Sequence, residues 1–180
     1  MPAPLRLKQK SIQTMKISKA VALFLGLICA ASLSGCYART GETAATGSQG
    51  ELPRSEAGLE QVPLSIRTSD ATHVFVVEVA ATGAQQAQGL MFRTRLAPDK
   101  GMIFPFPVDR VASFWMKNTV ISLDIIFIRR DGTIESIAAN TTPYSLAPVR
   151  SNEPVATVLE IAAGRAAELG IEPGDTVTWK

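Results

Sequence analysis

Short runs of β-branched and aromatic residues, each bounded by turn residues, recur from about residue 62 to the C-terminus. Helical patterns are few by comparison: only 83–90 and 163–169 fit, and Gly170 is placed to end the second. Arg130-Asp131-Gly132 forms a hairpin turn between two of the runs. The runs that predict strands are 73–79, 123–128, 133–138, 155–161 and 176–179. This pattern predicts a mainly β fold, a compact single-domain β-sandwich or barrel with one or two short helices.

One further run is interrupted by proline. Gly101-Met102-Ile103-Phe104 leads directly into Pro105, and Pro107 follows shortly after. Proline has no backbone N–H to donate to a neighbouring strand, so it is confined to edge strands, strand starts and bulges. The segment is therefore predicted to be an edge strand or an irregular one.

The N-terminus has the pattern of a secretory signal peptide. Lys16 and Lys19 precede an uncharged apolar run, residues 20–31, which is shorter than the roughly 20 residues that span a bilayer core. Residues 1–35 are therefore predicted to be a lipoprotein-type signal peptide. Two alternatives remain open, namely an uncleaved N-terminal membrane anchor and a chance apolar segment.

The segment that follows the apolar run, Leu33-Ser34-Gly35-Cys36, resembles the lipobox of bacterial lipoproteins. The resemblance implies that Cys36 is lipidated and becomes the mature N-terminus, which ties the exported protein to a membrane. Tyr37 rather than Asp follows the cysteine. In lipoprotein sorting of the Gram-negative kind, which this signal resembles, an Asp at that position favours retention in the inner membrane. Its absence therefore favours an outer-membrane lipoprotein that faces the periplasm. Met15 begins a more usual signal sequence, so residues 1–14 are interpreted as an extension from a misassigned start codon.

The composition changes twice after the signal. Residues 36–62 are rich in Ala, Thr, Gly, Ser and Glu and cannot bury enough apolar surface to offset their ordering entropy. They are predicted to be a flexible tether. Residues 63–180 have the length and the apolar content of a single globular β domain.

Charge and cysteine content exclude several kinds of partner. Five of the 18 basic residues precede Cys36 and all 16 acidic residues follow it, so the mature part carries 13 basic and 16 acidic residues. The mature part has no basic run, so nucleic-acid binding is not expected. Cys36 is the only cysteine after the signal and His73 is the only histidine, which leaves no disulfide and no common zinc site. Neither a cofactor nor a metal is expected, and the sequence identifies no protein partner.

Three motifs occur in a fixed order in the globular part. They are Gly89-Leu90-Met91-Phe92-Arg93 with Gly101-Met102-Ile103-Phe104, then Phe114-Trp115-Met116-Lys117-Asn118-Thr119 with 123–128, then Leu159-Glu160-Ile161 with Gly164, Gly170 and Gly174. In order, spacing and residue identity, these motifs resemble the family called domain of unknown function 192, over residues 64–179. The resemblance implies a small, mainly β domain that is often secreted or anchored in bacteria. It implies no established activity, cofactor or catalytic residue.

The candidate ligand-binding residues are Arg93, Trp115, Lys117, Asn118 and Asp124. Asp124 shares a strand face with apolar residues, and a carboxylate there needs a partner because burying a lone charge is costly. Arg93, Lys117 and Asn118 are the nearest candidates in sequence. Asp124 either orients Lys117 or Arg93 to bind an anionic group, or forms a buried ion pair or turn cap that only stabilises the fold.

An aromatic residue and a cation alternate with core residues in the second motif. Trp115 and Lys117 are predicted to share one face of a strand, while Phe114 and Met116 point into the core. The exposed face is either a platform for a ligand or a half-buried tryptophan beneath a lysine side chain. The sequence does not decide between the two.

Asp124 and Glu160 are the one carboxylate pair suited to acid–base catalysis, which requires the two groups to be close and differently protonated. The leading hypothesis is nevertheless a non-enzymatic one. It is a lipid-anchored envelope protein that serves as a binding or accessory module for a small polar ligand, anionic or sugar-like. One alternative is a cofactor-free hydrolase of envelope glycans that uses this carboxylate pair. Another is a structural protein-interaction domain with an exposed apolar patch.

Overall fold

A computed structural model describes residues 52–180, which form a mainly β fold with two short helices, as predicted. The strands are β1 (Gln61–Arg67), β2 (Thr72–Val79), β3 (Lys100–Arg110), β4 (Ser113–Phe114), β5 (Leu123–Ile128), β6 (Ile134–Ala138), β7 (Val149–Arg150), β8 (Val155–Ala162) and β9 (Thr176–Trp179). The helices are α1 (Gly83–Gln88) and α2 (Arg165–Glu168). Neither of these two helices has the length and apolar character needed to cross a membrane.

Part of the predicted N-terminal organisation falls outside this description. The predicted signal peptide, the lipidation site Cys36 and residues 36–51 of the predicted tether lie outside the described residues. Of that tether, residues 52–62 are described, and β1 begins within them at Gln61.

Seven of the strands form one curled sheet, a half-barrel, in the order β6-β5-β8-β3-β2-β1-β9. β4 and β7 pair separately from it. Among the neighbours in the large sheet, β2 and β3 run parallel, and the other pairs are antiparallel. Parallel neighbours cannot be joined by a tight hairpin, so a crossover is needed, and α1 lies in it. Thr82 begins α1 with a capping box, in which Thr82 and Gln85 each accept a backbone hydrogen bond from the other.

The central strands β5 and β8 bury side chains on both faces of the sheet. All six residues of β5 and seven of the eight residues of β8 are buried. Because side chains alternate along a strand, each strand contributes to two apolar clusters. The α2-side core contains Leu64, Phe75, Ile103, Ile126, Leu159 and Ile161. The α1-side core contains Leu90, Met102, Phe104, Ile125, Phe127 and Val158.

The proline-containing strand corrects one prediction. The sequence predicts an edge or irregular strand there, whereas β3 lies inside the sheet between β2 and β8. The edge prediction is wrong because β2 accompanies β3 only as far as Ile103, so β2 needs no hydrogen bond from Pro105 or Pro107. The irregularity is confirmed, since the pairing of β3 with β8 shifts register between Pro105 and Arg110.

Gly101 brings β3 against β8 with no space for a side chain. A Cβ atom at this position would lie 2.6 Å from the carbonyl oxygen of Glu160. We expect Gly101→Ala to lower the free energy of unfolding by about 1–3 kcal/mol, the usual cost of over-packing, as measured by urea denaturation. Gly83→Ala is the control, because nothing lies within 4 Å of a Cβ atom there. Equal stability of the two variants would contradict the prediction.

Candidate functional site

A pocket opens on the α1-side core, formed by residues of α1, β3, β4 and β8 and of the segments that follow α1 and β4. Its volume is about 340 Å³, which is in the range of small-molecule sites. We call it the Glu160 pocket. The lining residues that matter most for its chemistry are Gln86, Phe104, Arg110, Phe114, Trp115 and Glu160.

Glu160 is the one carboxylate among the described residues that line this pocket. On the sheet it lies beside Met102 of β3 and Ile125 of β5, both of which belong to the α1-side core. The residue is only 5% exposed. Burial raises the pKa of the Glu160 carboxyl to about 8, because the charged form would lose its hydration. The carboxyl is therefore mostly protonated at neutral pH.

The Glu160 carboxyl has no partner among the described side chains and backbone groups. No hydrogen bond or ion pair lowers its pKa, and desolvation is the only influence on it. Within residues 52–180, the only polar side-chain atom that is both fully enclosed and unpartnered is His73 Nε2. The carboxyl oxygens are therefore not sealed in the core but reach the space of the pocket. A hydrogen-bonding group is thus available there to a molecule that enters.

Aromatic side chains form much of the remaining wall. The rings of Phe104 and Phe114 meet edge to face, with centroids 5.0 Å apart. Trp115 also lines the pocket and is 52% exposed. Lys117 Nζ lies 5.2 Å from the centroid of the Trp115 ring, so these two side chains lie together as predicted. The predicted strand is wrong at this point, because β4 ends at Phe114 and both residues follow it. The pocket thus combines an apolar, aromatic wall with one buried acid.

Two further polar residues of the pocket escaped sequence analysis. Arg110 is the only cation among the described residues that line it, and its guanidinium lies 3.9 Å from the centroid of the Phe106 ring. The Gln86 amide donates hydrogen bonds to the carbonyl oxygens of Ala80 and Pro105, which fixes α1 against β3. Neither residue lies in a motif. Only the pairing of β3 with β8 brings them near Glu160, and no local pattern reports that pairing.

Asn118 supports the pocket from outside. It adopts a left-handed backbone conformation, with φ of 54°, which asparagine tolerates better than most residues. Its carbonyl oxygen accepts a hydrogen bond of 2.8 Å from the N–H of Phe92, whose φ is also positive. Its side-chain amide lies 3.9 Å from the sulfur of Met91, which does line the pocket. Asn118 therefore positions the pocket wall and is not itself part of the lining.

The two predicted catalytic carboxylates lie on opposite faces of the sheet. In the antiparallel pairing of β5 with β8, Asp124 lies opposite Ile161, whereas Glu160 lies opposite Ile125. Residues that face each other across paired strands project to the same side, and successive residues project to opposite sides. Asp124 therefore points into the α2 side and Glu160 into the α1 side. The pair that the hydrolase hypothesis requires does not form.

Asp124 is fully buried and binds backbone groups. Its Oδ1 atom accepts hydrogen bonds from the N–H groups of Asn140, at 2.8 Å, and Gly164, at 3.1 Å. Its Oδ2 atom accepts one from the N–H of Ala166, at 2.9 Å. The carboxylate thereby joins the loop after β6 to the start of α2. This matches the turn-capping alternative for Asp124.

Arg93 pairs with a residue that sequence analysis did not consider. Its two terminal nitrogens bind the Glu78 carboxylate at 2.8 and 2.5 Å, and these side chains are 28% and 11% exposed. Lys117 lies at Trp115, so neither predicted cation contacts Asp124. The anion-binding arrangement around Asp124 does not form. The sequence contains one indication that Glu78 needs a partner, because Glu78 is the one acidic residue in the predicted strand 73–79.

No group of three or more His, Cys, Asp or Glu side chains suited to a metal ion occurs in the described residues.

The globular part of the chain matches a known family. The DUF192 profile, described as an uncharacterized ACR family, covers residues 64–179. The chain belongs to the DUF192 family. The resemblance carried by the three motifs is thereby confirmed, and the family description assigns no activity. No curated protein matches the chain.

Two solved structures resemble this DUF192 domain. A protein from Sinorhizobium meliloti, described as a candidate transcription regulator, is 43% identical, with a TM-score of 0.66 and coverage of 67% of this chain and 95% of its own. A protein of unknown function from Novosphingobium aromaticivorans is 45% identical, with a TM-score of 0.70 and coverage of 77% and 99%. Neither description names a ligand, so the chemistry of the pocket has to identify its occupant.

The Arg93–Glu78 pair stabilises this DUF192 domain, and losing half of it is expected to be costly. Arg93→Met should lower the free energy of unfolding by about 2–3 kcal/mol, because a largely buried carboxylate loses both of its donors. A double-mutant cycle with Glu78→Gln, followed by urea denaturation, measures the coupling. The exposed Arg129–Glu153 pair is the control, and its cycle should give less than about 1 kcal/mol. Similar coupling in the two pairs would refute the assignment.

Proposed function

We propose that this protein is a binding module of the cell envelope, held at a membrane through Cys36, and that a small polar ligand binds in the Glu160 pocket. The observation that carries the proposal is a buried carboxyl without a partner at the edge of a pocket with aromatic walls. The lipobox-like sequence before Cys36 supports the anchoring part.

The unpartnered carboxyl favours binding because no side chain or backbone group of the described residues hydrogen-bonds to it. A buried polar group without a hydrogen bond costs about 1–3 kcal/mol. A ligand that supplies the missing hydrogen bond removes this cost, while its apolar part packs against Phe104, Phe114 and Trp115. Buried pockets with a few polar groups among aromatic residues are typical ligand sites. Part of the binding energy would thus come from a hydrogen bond to the Glu160 carboxyl that no group of the described residues supplies.

The alternatives have less support. Glycan hydrolysis by two carboxylates needs the groups on the two sides of one bond, roughly 5–10 Å apart across a shared cleft. Asp124 and Glu160 face different sides of the sheet, so this mechanism has no pair to use. A protein-interaction role could use the exposed apolar side chains Phe92, Tyr144 and Leu146. These side chains do not explain the buried acid, and we therefore favour ligand binding.

The pocket is tested by a thermal-shift screen of the purified protein against peptidoglycan fragments, neutral sugars, amines, carboxylates and phosphates. A true ligand at a hundredfold excess over its Kd stabilises the protein by about 2.7 kcal/mol and raises Tm. The shift should be lost in Trp115→Ala, which removes an exposed side chain from the pocket. It should remain in Val74→Ala, which removes an exposed side chain that does not line the pocket. A screen with no shift, or a shift that Trp115→Ala retains, would refute the pocket.

Membrane attachment is tested separately. We expect the wild-type protein to fractionate with membranes and Cys36→Ala to be found largely in the soluble fraction, since the thiol is the proposed point of lipidation. Metabolic labelling with a fatty acid should mark the wild type alone. Label on the Cys36→Ala protein would contradict the proposed site.

A further inference from the structure

We infer that the Glu160 pocket selects an organic cation, a ligand with an ammonium group on a small apolar body, and that this ligand binds the ionised form of Glu160. The inference deepens the proposed function and rests on it, since it names the chemical class that the same pocket takes. Three properties of the pocket lead to it, namely its charge, its aromatic wall and the protonation of its acid in the free protein.

The first property is the charge inside the pocket. Glu160 is its only carboxylate, and it is buried with no cation of the described residues bound to it. Arg110, the one cation of the lining, is exposed, and its guanidinium lies over the Phe106 ring. An entering ammonium group is thus free to be the counter-ion of Glu160. Opposite charges attract one another more strongly at a buried site than in water, so this ion pair does not require an N–H donor on the ligand.

The second property is the aromatic wall. Phe104, Phe114 and Trp115 line the same pocket as the acid. The face of an aromatic ring carries negative charge, so it attracts cations and repels anions, and clusters of such rings are known sites for quaternary ammonium groups. The contact between Lys117 Nζ and the Trp115 ring shows that an ammonium group already lies near one of these rings. An anionic ligand would meet the negatively charged faces of these rings unfavourably.

The third property is the protonation of the acid in the free protein. Because burial raises the pKa of Glu160 to about 8, the carboxyl carries a proton at pH 7. A cation that binds the carboxylate must therefore displace this proton, which leaves to the solvent while the ligand keeps its own charge. Binding should tighten about tenfold for each unit of pH up to about pH 8, in step with the ionised fraction of the acid.

Other charged groups in the described residues contribute little to this pH dependence of ligand binding. Arg110 is present in both the wild type and Glu160→Gln, so its effect on binding is the same in the two proteins. The two carboxylates nearest in the sheet are Asp124, on the opposite face, and Glu78, which is bound by Arg93. Neither lines the pocket, and neither do His73 and Lys117. These groups are the same in the wild type and in Glu160→Gln. Comparing the pH profiles of binding of the two proteins therefore isolates the contribution of Glu160.

The test compares choline with 3,3-dimethylbutan-1-ol, its neutral counterpart of the same shape, by isothermal titration at pH 6, 7, 8 and 9. We expect the Kd of choline to fall about tenfold per pH unit up to pH 8 and then to level off. The neutral alcohol should bind at least tenfold more weakly and without this dependence. Glu160→Gln should lose the preference, and Glu168→Gln, which changes an exposed carboxylate, should keep it.

The outcomes separate this inference from the proposed function. If the two probes bind the wild type alike, or if neither binds although another compound passes the thermal-shift screen, the pocket exists and the cation assignment is wrong. If the screen and both probes fail, the ligand-binding proposal fails together with it. Choline binding that does not change with pH would also overturn the role of Glu160.

Discussion

Asp124→Ala is expected to lower the free energy of unfolding by about 3–5 kcal/mol. The carboxylate is fully buried and accepts three hydrogen bonds, from the N–H groups of Asn140, Gly164 and Ala166. Alanine leaves these three donors without an acceptor, and each buried unpaired group costs about 1–3 kcal/mol. Domains of this size are stable by only about 5–15 kcal/mol, so the loss is a large fraction of the total stability.

Urea denaturation at pH 7 measures this loss, and two further variants define its cause. Asp124→Asn keeps one acceptor oxygen and is expected to lose about half as much stability, because its amide nitrogen cannot accept the third bond. Asp99→Ala is the matched control, since Asp99 is exposed and should tolerate the change within about 0.5 kcal/mol. If Asp124→Ala were as stable as Asp99→Ala, the role of Asp124 as a backbone anchor would be wrong.

Glu160→Gln is expected to make the protein more stable at high pH and to remove a large pH dependence. Burial raises the pKa of this carboxyl from 4.5 to about 8. Between these two values the folded state holds a proton that the unfolded state has released. The free energy of unfolding of the wild type should therefore fall by about 1.4 kcal/mol for each pH unit from about pH 5 to pH 8. Stability is complete below pH 4.5 and is lost as the pH rises.

The difference between the two proteins is the quantity to measure. Urea denaturation at pH 5, 6, 7 and 8 should give nearly equal stability at pH 5, because glutamine and the protonated acid are alike in size and polarity. At pH 8 the variant should be more stable by about 4 kcal/mol. Glu168→Gln, at an exposed site, should follow the wild type. A wild type and a Glu160→Gln protein that stay parallel across this range would show that the carboxyl is ionised in the folded state.

A gain in stability of this size would support the proposed role of the acid in a binding site. A residue that destabilises its own fold above neutral pH and can be improved by one isosteric change is typical of a functional site, where stability is given up for binding or catalysis. The structural carboxylate Asp124 behaves in the opposite way, because its replacement only weakens the protein. Asp124 and Glu160 look equivalent in the sequence. Urea denaturation of a variant of each residue should distinguish their roles.

The sequence predicted the fold class because the relevant signals are local. The run 123–128 is apolar on both faces apart from Asp124, which fits a strand buried on both faces, and β5 is such a strand. Turn residues and short helical patterns located α1 and α2 within a few residues. The prediction of an edge strand failed at Pro105 because the length of the neighbouring strand β2, not the sequence of β3, decides which nitrogens need an acceptor.

The site could be predicted only in part, for a physical reason. The local alternation at residues 114–117 predicted that Trp115 and Lys117 lie together, although both residues follow β4 and are not within a strand. The relation of Asp124 to Glu160 depends on the register between β5 and β8, and a shift of one residue reverses which side chains meet. The pairing of Arg93 with Glu78 likewise depends on the crossover that follows β2. Such contacts are set by the packing of distant segments, and no local pattern specifies them.

The pairing of β1 with β9 joins the first and last strands of the sheet, with Leu64 opposite Trp179. A growing polypeptide that lacks its last residues exposes the hydrogen-bonding edge of β1, which is a template for pairing with other chains. The sheet therefore reaches its full width only after synthesis of the whole domain is finished. A C-terminally shortened product that lacks the four-residue β9 would therefore present β1 as an open edge prone to aggregation.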